Sequence, residues 1–252
     1  MNMNEQKIDH RKKYLLAIDI ETANMIDDAL AYDVGFAIID RKGNIYEEHS
    51  LMISELFINH ADLLTSAYYA EKIPQYYKDF SNGKRKMVSI MTAKKMVERI
   101  MRKYRTNDVF AYNASFDLNG LNRTLRYLTK SEHRYFFPYG TKIHCIWNMA
   151  CQTILSQKAF FKFVVENDLA KENGNAPTSA EIAYRYICKY VSFTESHTGL
   201  EDVQIETAIL AKCYNQHKRM ETKIRRNCRQ IPQKNFKEFA KKAWQTAQDV
   251  IQ

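Results

Sequence analysis

The chain has 252 residues, 45% hydrophobic and 27% charged, with a net charge of +9; this balance excludes wholesale disorder and leaves room for a sizeable core. Only 7 glycines and 4 prolines occur, which disfavours collagen-like, linker-rich and many-turned all-β architectures and favours a helix-rich α/β chain. No run approaches the roughly 18 to 20 apolar residues of a membrane span, and the opening MNMNEQKIDHRKK lacks the apolar stretch of a secretory signal. The five cysteines (Cys145, Cys151, Cys188, Cys213, Cys228) form no C-x-x-C pair, so the expectation is a cytoplasmic protein with reduced thiols and no membrane partner.

Residues 1–13 read as an N-terminal tail. Residues 14–21 (YLLAIDIE) form an apolar run of strand length that ends in two carboxylates. Residues 34–39 (VGFAII) and the alternating residues 45–53, joined through a Lys42-Gly43 turn, complete an antiparallel meander. Residues 55–86 are irregular and aromatic-rich, helical fragments and loop, with Ser81-Asn82-Gly83 as the breaker. Met96, Val97, Ile100, Met101 and Tyr104 predict a helix over 92–104, residues 109–112 a short strand, and Phe116, Leu118, Leu121, Leu125 and Leu128 another helix. A fifth strand follows at 142–146, then a helix over 148–165, a loop around 173–177, and helices over 179–191 and 203–217. The order βββαβαβα predicts a mixed five-stranded sheet with helices on both faces.

Asp19 and Glu21 stand two apart at the end of the first strand, so a period of two puts both on one side of the sheet. Adjacent carboxylates repel, and a divalent metal between them relieves the repulsion. Taken alone, D-x-E is expected about once by chance in a chain of this length, and a solvated strand end accounts for it equally well. In AYNASFDLN a strand runs into a helix whose first turn carries Asp117, with Asn113 just before it; ordinary helix-dipole stabilisation also accounts for such an acid. In SHTGLEDVQIE, Thr198 and Glu201 have the form of a capping box, which makes Thr198 the N-cap. His197 and Asp202 then fall on the two positions that meet across a helix start, an imidazole beside a carboxylate.

In order and context the three motifs resemble those of the DEDDh group of 3′-to-5′ exonucleases, which includes proofreading subunits of bacterial DNA polymerases, oligoribonuclease and RNase T. The resemblance spans residues 14–214. The sister group with Tyr in place of His spaces it Y-x-x-x-D, a pattern absent before Asp202. The resemblance implies an RNase H-like fold, with Asp19, Glu21, Asp117 and Asp202 coordinating two Mg²⁺ or Mn²⁺ ions and His197 as general base. Four carboxylates are hard oxygen donors suited to those ions, and one lone His does not make a zinc cage. Thr22 and Asn113 match positions near the terminal nucleotide, and Phe116 matches the motif's aromatic. The chain departs from the group's common E-T-T-G by Ala23-Asn24-Met25 after Thr22, and carries Tyr112 where His often precedes the Asn. The expected activity is removal of nucleoside 5′-monophosphates from 3′ ends of single-stranded or frayed DNA. Alternatives are an exoribonuclease trimming RNA 3′ ends and a polymerase-associated nucleic-acid-binding module.

Two additions flank this 14–215 domain. Within an insertion at about 55–90, Tyr68, Tyr69, Tyr76, Tyr77 and Phe80 interleave with Lys72, Lys78, Lys84, Arg85 and Lys86, a mixture that suits either stacking on unpaired bases or covering a core. In the basic helical extension at 216–252, the charge is concentrated: eleven basic and two acidic residues lie between Lys212 and Lys242, so the whole excess sits there. Such a segment suits nucleic acid better than a membrane, because no strong apolar face runs through it; a solvated tail is the plainer reading. Phe236, Phe239, Ala240, Ala243, Trp244 and Ala247 share a helical face that must be buried, on the chain's own domain or on a polymerase or replication partner.

Overall fold

The computed structural model describes residues 8–24 and 28–249. Strands β1 (Leu15–Ala23), β2 (Leu30–Ile39) and β3 (Ile45–Ile53) form the antiparallel meander. The turn between β2 and β3 is closed by the Asp40 carboxylate, which accepts from the amides of Lys42 and Asn44 at 2.8 and 3.1 Å, and by Gly43 at φ +85°. Strands β4 (Lys86–Val88), β5 (Asp108–Ala111) and β6 (Lys142–Cys145) pair parallel with β3, β1 and β5 respectively. The sheet is therefore mixed and six-stranded, in the order β4-β3-β2-β1-β5-β6, where five strands were expected. The added strand, β4, is three residues long and too short to carry an alternating signature.

Along β1 the side chains divide by the pleat. Leu16, Ile18 and Ile20 enter one core with Val34, Phe36 and Ile38 of β2, covered by α2 (Ile90–Lys103) and α3 (Ala114–Thr129). Leu15 and Ala17 enter the other, covered by α4 (Ile146–Gln152), α5 (Lys158–Glu166), α6 (Ala180–Cys188) and α7 (Gly199–Tyr214). The single helix expected over 148–165 is broken in two. The Thr153 hydroxyl donates back to the Met149 carbonyl at 2.7 Å and Gln157 is extended, so polar side chains and a turn at 154–156 interrupt the ladder.

The insertion is helical, with short turns at Glu55–Asn59, Ala61–Ser66 and Ala70–Lys72 leading into α1 (Ile73–Ser81). The C-terminal segment belongs to the same core. Residues 216–232 are irregular rather than helical apart from a turn at Cys228–Gln230, and α8 (Gln233–Asp249) follows. The Thr222 carbonyl accepts from the Cys145 amide at 2.7 Å, and the Asn148 side chain donates to the carbonyls of Glu221 and Lys223 at 3.2 and 2.9 Å. Phe236 and Ala240 are fully buried, with the Phe236 ring 5.5 Å from that of Phe161 on α5. Of the predicted apolar stripe, the side chains of Trp244 and Ala247 lie outside the described residues.

Helix α7 starts almost on top of the sheet, and two glycines allow it. A Cβ on Gly35 of β2 would lie 2.1 Å from the Gly199 carbonyl carbon, and one on Gly199 would lie 2.7 Å from the Gly35 nitrogen. Both obstacles are backbone and cannot rotate away. Gly35→Ala is expected to cost at least about 2 kcal/mol, roughly 4–8 °C of melting temperature for a chain of this size. An unchanged melting temperature by calorimetry would contradict this close approach.

Candidate active site

Asp19 and Glu21 project from β1 on the α7 side of the sheet, in register with Gly35 and Asp33 of β2. Just beyond them the ladder slips: Glu21 pairs with Asp33 but Thr22 with Ala31, skipping Tyr32, and this bulge ends the regular register. Because β1 and β5 are parallel neighbours, their carboxyl ends meet at one side of the sheet. There α3 begins, with Asn113 as its N-cap and Asp117 buried in its first turn. The Asn113 side chain makes no capping bond. It lines, together with Phe116, a cavity of about 170 Å³ whose walls also include Asp19, Glu21, Asp117 and Asp202. Thr22 is half-buried and does not contribute to that wall among the described residues.

The fourth acid arrives with α7. Thr198 is the N-cap as expected, but the capping box is not formed: its hydroxyl donates to Glu201 Oε2 at 2.6 Å instead of accepting from the backbone. Glu201 is engaged further by Lys84 Nζ and Arg85 Nη2, at 2.8 and 3.0 Å. His197 sits in the left-handed region at φ +54°, and its ring stacks on Tyr69 of the insertion with centroids 3.9 Å apart. Ligand atoms of Glu21, His197 and Asp202 all lie within 4.8 Å of one another, so the imidazole and carboxylate do meet across the helix start.

Three further groups hold this arrangement. The buried Asp33 carboxylate accepts through Oδ2 from the Gly199 amide (2.8 Å), the Tyr76 hydroxyl (2.7 Å) and Arg85 Nη1 (3.3 Å), tying α7 and the insertion to β2. Glu206, one turn beyond Asp202, is 3% exposed, lines the acidic cavity, and leaves Oε2 without a hydrogen-bond partner. Glu195 also lines it, its Oε2 4.0 Å from His197 Nδ1. Asp33 was missed because the apolar run that announces β2 was read from Val34. Gly35, a lone glycine inside that run, was the available signal for a close backbone approach. Of the insertion's aromatics and cations, which suit either base stacking or core cover, Arg85 belongs to the core: it is 3% exposed and committed to Asp33, Asp79 and Glu201.

The electrostatics separate two kinds of acid on one helix turn. Burial raises Glu201, but the bonds from Lys84 and Thr198 and the charge of Arg85 outweigh it and bring its pKa down to about 2. Asp202, the next residue, is pushed up to about 8 by burial and by Glu195 and Glu201. Burial and the Asp202 charge raise Glu21 to about 9, and burial raises Asp117 to about 7. Asp19 lies well above its ordinary value through burial and the charges of Glu206 and Asp117; burial and Asp117 do the same to Glu206. Burial lowers His197, against the opposing pull of Glu181. Among the described residues no Lys or Arg pairs with Asp19, Glu21, Asp117, Asp202 or Glu206, and Asp117 Oδ1 has no hydrogen-bond partner. A cavity of hard oxygen donors with no protein cation fits a divalent ion such as Mg²⁺ or Mn²⁺.

That balance predicts an inverted pH profile. The folded protein holds protons on these carboxyls more tightly than the unfolded chain, where they leave near pH 4. Stability present in acid is therefore lost as pH rises through about 7, 8 and 9 for Asp117, Asp202 and Glu21. His197 opposes this only below its ordinary value of 6.5. In EDTA the melting temperature is expected to fall by several degrees between pH 6 and 9, and Mn²⁺ is expected to restore it. A flat profile in EDTA would show that the acids do not repel as described.

No family model and no curated protein matches this chain. Among the described residues no helix is long and apolar enough to cross a membrane.

Proposed function

We propose that this chain is a metal-dependent 3′-to-5′ exonuclease of the DEDDh kind on an RNase H-like sheet. In this reading it removes nucleoside 5′-monophosphates from the 3′ ends of single-stranded or frayed DNA. The observation that supports it most is the convergence of Asp19, Glu21, Asp117 and Asp202, from three elements, on one cavity with His197 beside Glu21 and Asp202 and no protein cation among them. Two Mg²⁺ or Mn²⁺ ions held by the four carboxylates would supply Lewis-acid charge at the scissile phosphate and the departing 3′ oxygen. His197, kept neutral at pH 7 by its lowered pKa, takes the proton of the attacking water. Its Nδ1 is turned toward Glu195, which leaves Nε2 for that proton. The water oxygen bonds to phosphorus as the bond to the 3′ oxygen breaks, leaving a 5′-monophosphate and a strand one nucleotide shorter. Tyr69, stacked on the imidazole, holds the ring plane. In this reading Asn113 and Phe116, which line the cavity wall, touch the terminal nucleotide.

The test is stepwise shortening of 5′-labelled DNA and RNA strands of matched sequence by purified protein with Mg²⁺ or Mn²⁺. Loss of activity in Asp19→Ala is expected. Undiminished hydrolysis in that variant would falsify the assignment, and the relative rates on the two strands decide between DNA and RNA.

A further inference from the structure

The eleven-cation segment, once folded, brings two of its arginines into the wall of a cavity that adjoins the acidic one. A second cavity, of about 290 Å³, shares Asn113 and Phe116 with the acidic one and is walled on its other sides by Arg123 of α3, Trp147 of α4, and Arg225 and Arg226 of the C-terminal segment. A third, of about 400 Å³, shares Arg225 and Arg226 and continues along Asn227 and Gln230. Among the described residues neither of these two cavities has a carboxylate in its wall. Of charged residues the first carries only acids and the next two only cations, and each adjoins the next through shared wall residues, which sets out a path from the cations to the acids. Arg225 and Arg226 are exposed and form no salt bridge with any described residue, while Trp147 is half-buried. Residues 221–223 are pinned to β6 and α4 through Cys145, Asn148 and Gln152, so the arginines are carried by an anchored loop.

We propose that this path is the binding cleft for the last few nucleotides of a single-stranded polynucleotide. Its phosphates lie on Arg225 and Arg226, and one base stacks on Trp147 as the 3′ end enters the acidic cavity. The inference rests on the exonuclease reading and extends it: the C-terminal segment forms a wall of the substrate cleft. Alternating cations and an aromatic face are what a flexible strand requires, since phosphates need charge and every base has a face to stack. The acidic cavity alone repels a phosphate chain, so cations beside it are needed to draw one in.

Three measurements test this. In EDTA, anisotropy of labelled 12-mers of DNA and of RNA is expected to report about tenfold weaker binding by the Arg225→Ala/Arg226→Ala variant. Its slope of log K against log salt is expected to be shallower by about 1.4, two phosphates at roughly 0.7 each. Lys234→Ala/Lys237→Ala removes two exposed charges of α8 that line none of the three cavities, and is expected to change affinity less than twofold. In a Trp244→Phe background, which leaves Trp147 as the only tryptophan, the 12-mer is expected to quench fluorescence. The p-nitrophenyl ester of thymidine 5′-monophosphate carries no phosphate beyond the scissile one, so the arginine pair is expected to slow its hydrolysis far less than that of the 12-mer. Unchanged affinity and slope in the arginine variant, or an equal loss in the lysine variant, would overturn the proposal. A wild-type protein that hydrolyses neither ester nor oligonucleotide sinks the exonuclease reading instead, while the binding slopes still report on the cleft.

Discussion

Asp117→Asn is expected to abolish oligonucleotide hydrolysis and, in EDTA, to make the protein more stable. The side chain is 3% exposed, Oδ1 has no partner, and Asp19, Glu206 and Glu21 are acidic neighbours. Asparagine keeps the shape but removes the negative charge that this cavity disfavours. With its pKa near 7, the carboxyl is mostly ionised at pH 8, whereas its counterpart in the unfolded chain is ionised at almost no cost. Relief of that penalty is on the order of 4 kcal/mol at pH 8, about three pH units of displacement at about 1.4 kcal/mol each. The same substitution removes an oxygen donor with full charge from the proposed ion site, and a loss of at least about 10³ in rate, near 4 kcal/mol of barrier, is expected. With Mn²⁺ added the order of stability reverses, because the wild type gains binding energy that the variant lacks. Melting curves with and without Mn²⁺, beside single-turnover hydrolysis, check both halves. A variant less stable than wild type in EDTA contradicts the repulsion.

Arg85→Met is expected to be among the most damaging single changes in the chain. The guanidinium reaches Asp33, Asp79 and Glu201 at 3.3, 3.1 and 3.0 Å and lies 4.6 Å over the Tyr76 ring. Removing it strands the Asp33 carboxylate, fully buried and already raised by its burial, without its cation. Breaking one side of such a buried pair costs about 3–5 kcal/mol, a large part of the 5–15 kcal/mol typical of a folded domain. The double variant Arg85→Met/Asp33→Asn is expected to recover at least half of the loss, because the unpaired charge goes with its partner. Urea titration of the four proteins of this cycle measures the coupling. Additive losses would place the damage in packing alone.

The elements whose chemistry is local were legible. Asp19 and Glu21 share a face because a strand repeats every two residues, and Asp202 follows a helix start whose cap is Thr198. The meander was readable because Lys42-Gly43 marks its turn, which the structure closes with Gly43 at positive φ and the Asp40 carboxylate. What was not legible depends on contacts made across the chain. Arg85 sits among tyrosines and lysines in a stretch that looks solvent-facing, and only the arrival of Asp33 from β2 and Glu201 from α7 makes it a core ion. Glu206 lies on a helix buried on most sides, with no polar face against which an inward acid stands out. The helix expected over 148–165 had the right period, but the period does not register Thr153 bonding back to its own backbone.

The bond from the Cys145 amide to the Thr222 carbonyl has a consequence for how this protein can be shortened. β6 is one of the two edge strands of the sheet, and Thr222 takes the amide of its last residue. A version ending near residue 215 would bare that rim together with the apolar bed of Phe236, inviting strand-to-strand self-association between copies. Point substitution of the segment's arginines, and not deletion, is therefore the change that tests the proposed cleft while leaving that rim covered.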